Sequence, residues 1–218
     1  MDNMTNPYQA DASKKQGVQT GTTTVGLVSK EGVVLASDRR ATMGYLIASK
    51  DIDKIYPVAD HIGMTIAGSV GDAQTLIRWM QAEIKLYELK HEKPITVEAA
   101  ATMLSSILTQ YKFYPFWVQL LIGGFDERPR LFSVDMLGGI TEEKLTSTGS
   151  GSPFAYGVLE ELFREDKDVE TNLLVAAKAV SAAMKRDAAS GERVDLVSIT
   201  KSGFKRFDKE EIKKMLNA

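Results

Sequence analysis

Residues 21–38 read GTTTVGLVSKEGVVLASD, and this stretch decides the fold. Residues 22–29 are mostly β-branched or apolar, which predicts a strand. Residues 30–32 (KEG) predict a short turn, and residues 33–38 predict a second strand. Two strands joined by so short a turn are expected to pair as an antiparallel hairpin. The hairpin indicates that the fold is built on antiparallel sheets.

Beyond the hairpin, the spacing of apolar residues alternates between the strand period and the helix period. Further strands are predicted at residues 62–68, 118–125, 130–135, 142–147, 194–200 and 204–207. Helices are predicted at residues 71–89, 96–111, 153–163 and 169–188, with a short charged helix after Asp208. Because the helices come in pairs between groups of strands, a doubly wound parallel sheet is disfavoured. The order predicts an α+β fold, a four-layer αββα sandwich with two antiparallel sheets between helix layers.

Composition excludes several kinds of chemistry. The chain has 218 residues, a formal net charge of −2, no cysteine and two histidines. The length fits a single domain, and the lack of cysteine rules out a disulfide framework, a thiolate metal site and a cysteine nucleophile. His61 and His91 have no partners at ligand spacing, so we expect no metal and no cofactor. The balanced charge does not favour a nucleic-acid partner.

The first 21 residues, MDNMTNPYQADASKKQGVQTG, are polar and show neither the strand period nor the helix period. Such a composition is typical of a leader or tail that packs no core. The segment lacks the apolar centre of a secretory signal, and no apolar run approaches the roughly 20 residues of a membrane helix. We therefore expect a cytoplasmic protein without a membrane partner.

A glycine-rich loop at residues 148–153 (TGSGSP) lies between a predicted strand and a predicted helix. Such a loop can hold a phosphate at a helix N-terminus. This one lacks the Gly-Lys-Ser/Thr ending of a P-loop and the spacing of a dinucleotide fingerprint. A turn with Ser152 as the N-cap and Pro153 at the first helical position is the plainer interpretation. A nucleotide-binding module remains a rival hypothesis, which a binding assay would exclude.

The Gly21-Thr22 junction offers a hydroxyl nucleophile, because a polar leader ends there and a predicted strand begins. Cleavage after Gly21 would give Thr22 a free α-amino group, and a pKa of about 8 suits that group as a base for the adjacent hydroxyl. No Gly-x-Ser-x-Gly elbow is present as an alternative. Consecutive threonines are also an ordinary start of a strand, so the pattern alone leaves both interpretations open.

Five short motifs begin at this junction and continue along the chain. They are GTTTVG (21–26), ASDRRAT (36–42), IAGSVGDA (66–73), STGSGS (147–152) and RDAASG (186–191). Taken together and in this order, they resemble the motifs of archaeal proteasome β subunits, which are N-terminal-nucleophile hydrolases. The resemblance covers essentially everything from Thr22 to the last strands. It implies the same sandwich of two antiparallel sheets between helix layers.

The resemblance implies a threonine endopeptidase with Thr22 as the nucleophile and its freed α-amine as the base. Asp38 and Lys54 match the family's acidic and basic partners. The lysine would lower the pKa of the amine and the hydroxyl, and the aspartate would orient the lysine. The residues that match those around the amine are Ser150, Asp187 and Ser190. Residues 1–21 would be a propeptide removed autocatalytically, and residues 22–218 a single catalytic domain.

Substrate contacts are implied in the same way. Gly68 matches the residue whose backbone N–H faces the developing oxyanion. Thr42 and Gly68 match the residues that pair with the substrate backbone as an added strand. The P1 pocket, which takes the side chain before the cleaved bond, matches Ala41, Ile52, Ile66 and Val70. All four are apolar, so a chymotrypsin-like preference for hydrophobic residues is expected.

The resemblance also implies partners. These are α and β subunits in stacked heptameric rings of order αββα, an ATP-dependent unfoldase and unfolded polypeptide. Two rival functions remain within the family. A non-catalytic ring subunit is disfavoured because Thr22, Asp38 and Lys54 are all present. An amidase of the same nucleophile class, acting on a small amide, is disfavoured by the motifs around residues 39–40 and 150–151.

Overall fold

The computed structural model describes residues 21–217, which form two large sheets, a small hairpin and five helices. The strands are β1 Thr24–Ser29, β2 Gly32–Asp38, β3 Ala41–Met43, β4 Leu46–Ser49, β5 Ile55–Ala59, β6 Ile62–Gly68, β7 Val118–Phe125, β8 Pro129–Val134, β9 Ile140–Glu142, β10 Leu145–Thr148, β11 Val194–Thr200 and β12 Gly203–Arg206. The helices are α1 Val70–His91, α2 Val97–Gln110, α3 Ser152–Leu162, α4 Val169–Met184 and α5 Lys209–Asn217. Within the described residues, no helix combines the length and apolar character that crossing a bilayer requires.

Both large sheets are antiparallel throughout. The first has the order β10-β1-β2-β11-β12 and the second the order β5-β6-β7-β8-β9, while β3 and β4 pair only with each other. The register of β1 with β2 runs from Thr24 opposite Ser37 to Ser29 opposite Gly32. The hairpin predicted from residues 21–38 is therefore present and lies at the centre of the first sheet.

Three apolar cores separate four layers. Side chains such as Leu35 and Leu121 fill the space between the two sheets. Helices α1 and α2 pack on the outer face of the second sheet, and α3 and α4 pack on that of the first. Each fully buried leucine or isoleucine in these cores stabilises the fold by about 1.5–3 kcal/mol. The arrangement confirms the predicted α+β sandwich of αββα order.

Two strand predictions differ from the structure. Strand β5 was missing from the prediction because its five-residue sequence, IYPVA, contains a proline, which a strand tolerates at the edge of a sheet, where β5 lies. The single strand predicted at residues 142–147 is wrong. Strand β9 ends at Glu142, and β10 begins at Leu145 on the edge of the other sheet. The chain crosses between sheets there, and the spacing of side chains does not signal that step.

Two helix boundaries also differ. Helix α4 ends at Met184 rather than at residue 188, although alanines continue beyond it. The backbone N–H of Asp187 still donates to Ala183 O (2.8 Å), but the next residues turn toward the interior. Contacts there override the helical propensity of alanine. Helix α3 begins at Ser152 itself, with Gly151 as an N-cap that makes no side-chain bond, so the predicted Ser152 cap is wrong.

Candidate active site

Thr22 lies two residues before β1 and is buried, with 4% of its surface exposed. Its hydroxyl donates a hydrogen bond to the carbonyl oxygen of Gly21 (2.6 Å), and its own carbonyl accepts one from the N–H of Gly151 (3.3 Å). Gly149 follows β10 with a φ of +90°, and a Cβ there would stand 2.1 Å from Thr22 O. A glycine is therefore required for the loop to pass this close to Thr22.

The carboxylate of Asp38, at the end of β2, is fully buried and saturated with donors. Its Oδ1 accepts from Lys54 Nζ (2.7 Å) and from the N–H of Thr23 (2.9 Å). Its Oδ2 accepts from the N–H groups of Arg40 (3.0 Å) and Gly191 (2.9 Å). Two donors on each oxygen hold the side chain in one orientation. Asp38 is thereby suited to hold the Lys54 ammonium in a fixed position.

Lys54 precedes β5 and is also buried, with Asp38 as its ion-pair partner. Burial lowers the pKa of the Lys54 ammonium, and the attraction of Asp38 offsets this only in part. The lysine therefore loses its charge at a lower pH than an exposed lysine does.

A chain of hydrogen bonds joins the Thr22 backbone to a second carboxylate. Asp187 Oδ2 accepts from the hydroxyls of Ser150 (2.7 Å) and Ser190 (2.6 Å). Ser150 Oγ accepts from the N–H of Thr22 (3.2 Å), and Ser190 Oγ lies 2.7 Å from the hydroxyl of Thr23. Since a carboxylate accepts only, both serines point their protons at Asp187, and Thr23 donates to Ser190. The sequence-predicted trio is thus joined by hydrogen bonds, and Ser150 is the member that contacts the Thr22 nitrogen.

A pocket opens beside Thr22, between the ends of the two sheets. It is lined by Gly21, Thr22, Ala41, Thr42, Ile52, Lys54, Ile66, Gly68 and Val70. All four predicted P1 residues lie in this one pocket, which they make largely apolar. The pocket is small, which suits one side chain rather than a large ligand. The Thr42 hydroxyl accepts from the N–H of Gly21 (2.9 Å), so the chain before Thr22 already contacts this residue.

Gly68 ends β6 with a φ of +112°, beside the same pocket. A Cβ at this position would stand 2.1 Å from Trp117 O, a carbonyl that accepts from the N–H of Ser69 (2.8 Å). Both the backbone conformation and the neighbouring strand therefore require glycine.

All the sequence-predicted site residues meet at one end of the sandwich, where β2, β6 and β10 end and β5 begins. Sequence reasoning missed the hydroxyl of Thr23 and the N–H of Gly191 as partners of this site. Both belong to quoted motifs, so the signal was present. A Cβ on Gly191 would come within 2.4 Å of Arg40 Cζ, so the end of the Arg40 side chain would have to move. A buried hydroxyl, a buried Lys–Asp pair and an apolar pocket fit a hydrolase that attacks an amide with threonine.

Comparisons with known proteins agree with this class. The family model described as proteasome subunit matches residues 18–199. The chain is 52% identical to the proteasome subunit beta of Archaeoglobus profundus, over 92% of this chain and 94% of that protein. It is also 52% identical to the proteasome subunit beta of Methanoregula boonei, over 92% of this chain and 95% of that protein. A third relative, the proteasome subunit beta of Methanosarcina mazei, is 52% identical over 88% of this chain and 93% of that protein.

The chain belongs to the proteasome subunit family. The resemblance that the five motifs indicate is therefore confirmed. Proteasome β subunits are threonine peptidases, and this chain is a catalytic subunit of that kind.

Proposed function

We propose that the chain is a threonine endopeptidase that cleaves its own Gly21–Thr22 bond and then degrades unfolded polypeptides with Thr22 as the N-terminal nucleophile. The single observation that carries this proposal is the meeting of the buried Thr22 hydroxyl, the Lys54–Asp38 pair and an apolar pocket at one place. The propeptide covers residues 1–21. Its first twenty residues lie outside the part of the chain that the structure describes.

The α-amine of Thr22 supplies the base after cleavage. It takes the hydroxyl proton, directly or through a water, while Oγ1 bonds to the substrate carbonyl carbon. The C–N bond then breaks, the leaving amine receives that proton, and an ester to Thr22 remains. Water attacks the ester carbon and passes a proton to the α-amine. The C–Oγ1 bond then breaks, the α-amine returns the proton to Oγ1, and the carboxylic acid product leaves. Before cleavage the same nitrogen is an amide, so the precursor lacks the base.

The surrounding groups set the electrostatics of this step. The Lys54 ammonium favours the unprotonated form of the Thr22 amine and the anionic form of its hydroxyl. Asp38 holds the Lys54 ammonium in place. Ser150, with Asp187 behind it, keeps its bond to the Thr22 nitrogen and orients the amine. The N–H of Gly68 faces the developing oxyanion, and one such donor lowers the barrier by about 3–4 kcal/mol.

Substrate binds as an added strand along Thr42 and Gly68, with its P1 side chain in the apolar pocket. Among the residues that the structure describes, the pocket lining has no charged side chain other than Lys54, which Asp38 already engages. Ala41, Ile52, Ile66 and Val70 therefore favour cleavage after hydrophobic residues. Short fluorogenic peptides that differ only at P1 test this, and faster cleavage after acidic or basic residues would contradict it.

Assembly with other subunits is part of the proposal. We infer stacked heptameric rings of order αββα, fed by an ATP-dependent unfoldase in the cytoplasm. Large apolar side chains support extensive contacts, because Leu86 and Leu89 on α1 and Phe113 and Tyr114 after α2 are more than half exposed. Sedimentation of the chain with and without an α-type subunit tests ring formation, and cell fractionation tests the location.

The nucleophile is tested with two substitutions in the assembled particle. Thr22→Ala is expected to abolish peptide hydrolysis, whereas Thr22→Ser keeps a hydroxyl and is expected to retain part of it. Thr23→Ser is the matched control, since it changes a neighbouring threonine and keeps the donor to Ser190. Hydrolysis that survives in Thr22→Ala at the unmodified rate would contradict the proposal.

A further inference from the structure

Residues 51–54 carry two site residues without belonging to a strand or helix. Ile52 lines the pocket and Lys54 holds the ion pair with Asp38. Two backbone bonds attach the segment, from the N–H of Ile52 to Arg39 O (3.0 Å) and from the N–H of Ile66 to Lys54 O (2.9 Å). Such sparse backbone support leaves the position of the segment to its side chains.

Arg39 supplies that support through a guanidinium that is 9% exposed. Its Nε lies 2.5 Å from Asp51, and its terminal nitrogen lies 2.5 Å from Asp53 and 3.1 Å from Asp195. Asp51 and Asp53 flank Ile52, so one planar group holds both sides of the pocket residue. The bond from Arg39 lowers the pKa of the Asp51 carboxyl, as expected for a carboxylate held in its ionised form.

The other end of this cluster is fixed in the first sheet. Asp195 on β11 has a side chain only 6% exposed, and it bonds both Arg39 and Arg206. Arg206 also reaches Asp53 (3.2 Å) and the carbonyl of Ile55. Arg39 thus joins the segment to a rigid edge formed by β11 and β12. None of these groups touches the Thr22 hydroxyl or the Lys54 ammonium among the contacts of the described residues.

We propose that Arg39 is a positioning residue for peptide hydrolysis, which holds Asp51 and Asp53 and so places Lys54 and Ile52. The inference rests on the proposed function, because both placed residues act in that site. A lysine cannot replace this arginine, since a single ammonium does not present the fork that reaches three carboxylates at once. The bonds to Asp51 and Asp53 act on geometry more than on global stability, because these side chains are 64% and 48% exposed and exposed ion pairs stabilise little. The buried bond to Asp195 also stabilises the fold, so turnover has to be compared per processed chain.

Arg39→Lys in the particle assembled from the full chain is the principal test. Arg130→Lys is the matched control, because Arg130 also joins two carboxylates, Glu98 and Glu142, but lies in the second sheet away from Thr22. Turnover is measured with a hydrophobic-P1 peptide and divided by the amount of chain that begins at Thr22, determined by intact mass. Such normalisation removes losses that come from poor assembly or incomplete processing.

We expect Arg39→Lys to lower kcat per processed chain about tenfold, since small displacements of a catalytic group have large effects on rate. KM for peptides with a bulky P1 residue should rise as Ile52 moves, while KM for a small P1 residue changes less. Arg130→Lys should leave both constants within about twofold of the unmodified particle. An Arg39→Lys particle that keeps both constants, and differs only in melting temperature, would overturn the inference.

If Arg39→Lys does not assemble, Asp53→Asn tests the positioning role of Arg39 instead. It removes one arm of the cluster at a half-exposed position and keeps the arginine. A fall in kcat of about threefold or more, with the same P1-dependent rise in KM, supports the inference, and unchanged constants overturn it. Thr22→Ala is measured alongside. If that variant still hydrolyses peptide, the proposed function fails instead, and the two failures are distinguishable.

Discussion

Asp38 is the residue on which the site depends most. Four donors meet its carboxylate, and three of them are backbone N–H groups from separate parts of the chain. The fold thereby fixes an anion without involving exposed side chains, and Lys54 is placed by that anion. A carboxylate with every lone pair engaged holds its partner far more rigidly than a surface ion pair does.

Asp38→Asn should therefore disable the enzyme. The NH₂ of the asparagine amide would face groups that are themselves hydrogen-bond donors. The Lys54 ammonium would also lose its counter-charge. Losing one partner of a buried pair costs about 3–5 kcal/mol of stability. We expect peptide hydrolysis to fall at least about a hundredfold and the melting temperature to drop, while Asp60→Asn in the exposed β5–β6 turn changes neither. Kinetics and thermal unfolding check both, and a fully active Asp38→Asn particle would refute the role given to Asp38.

The pH dependence follows from the lysine. Burial lowers the pKa of Lys54 from the ordinary 10.5, so its charge is present at low pH and is lost as pH rises through the lowered value. Activity that needs the ammonium should therefore decline at a pH below 10.5. On the acid side, activity should fall as the Thr22 α-amine becomes protonated. The profile of kcat/KM against pH measures both limbs.

Lys54→Arg separates the two limbs, because a guanidinium stays charged over the whole range. Its residual activity should show the same acid limb and no alkaline decline. An alkaline limb that is identical in the two particles would show that a group other than Lys54 is titrating.

Gly21 is required by its neighbour Ala189. A Cβ at Gly21 would stand 1.7 Å from the Ala189 Cβ, which forces the chain before Thr22 to move. Gly21→Ala should slow removal of the propeptide by about tenfold or more, since the attacked carbonyl is displaced. Adding Ala189→Gly should restore processing only in part, because the Cα and carbonyl oxygen of residue 189 would still lie 2.7 and 2.8 Å from the added Cβ. A time course of intact mass follows processing, and normal processing in Gly21→Ala alone would contradict this account.

At the scale of elements, the site is made where strands end rather than within them. The central strands are runs of buried apolar and β-branched residues, and their sequence predicted the hairpin and most of the sheets. The glycines at the strand ends mark the positions of the site, which the periodicity of apolar residues does not predict. Gly68 and Gly149 have positive φ, and each lies where another backbone passes within reach of a Cβ. These positions were found through motifs, because a pattern of apolar residues says nothing about close approach.

Helix α1 contributes the pocket residue Val70 at its first position. Val70→Glu should reverse the P1 preference, because a carboxylate disfavours apolar side chains and attracts a cationic one. We expect hydrolysis after hydrophobic residues to fall about tenfold or more and hydrolysis after arginine or lysine to rise. Ala82→Glu, on an exposed position of the same helix, is the control. Peptides that differ only at P1 measure the ratio of hydrolysis after hydrophobic residues to hydrolysis after arginine or lysine. An unchanged ratio would show that Val70 does not contact the P1 side chain.

At the scale of the whole molecule, the order of elements was enough to predict two sheets enclosed by helices. The assignment of strands to sheets was not, because β9 and β10 are neighbours in sequence and lie in different sheets. The ion cluster around Arg39 was also beyond sequence reasoning. Asp51, Asp53 and Asp195 are ordinary acidic residues until the fold brings β2, the segment before β5 and β11 together. Long-range contacts of this kind leave no local signal.

The central claim is that the working chain begins at Thr22. Intact mass of the chain within particles that hydrolyse peptide measures this most directly. The account predicts a single species of 197 residues, since 218 − 21 = 197, and it predicts that Thr22→Ala particles keep residues 1–21 and hydrolyse nothing. Active particles in which every chain still carries residues 1–21 would contradict it, because the Thr22 nitrogen would then be an amide and no base.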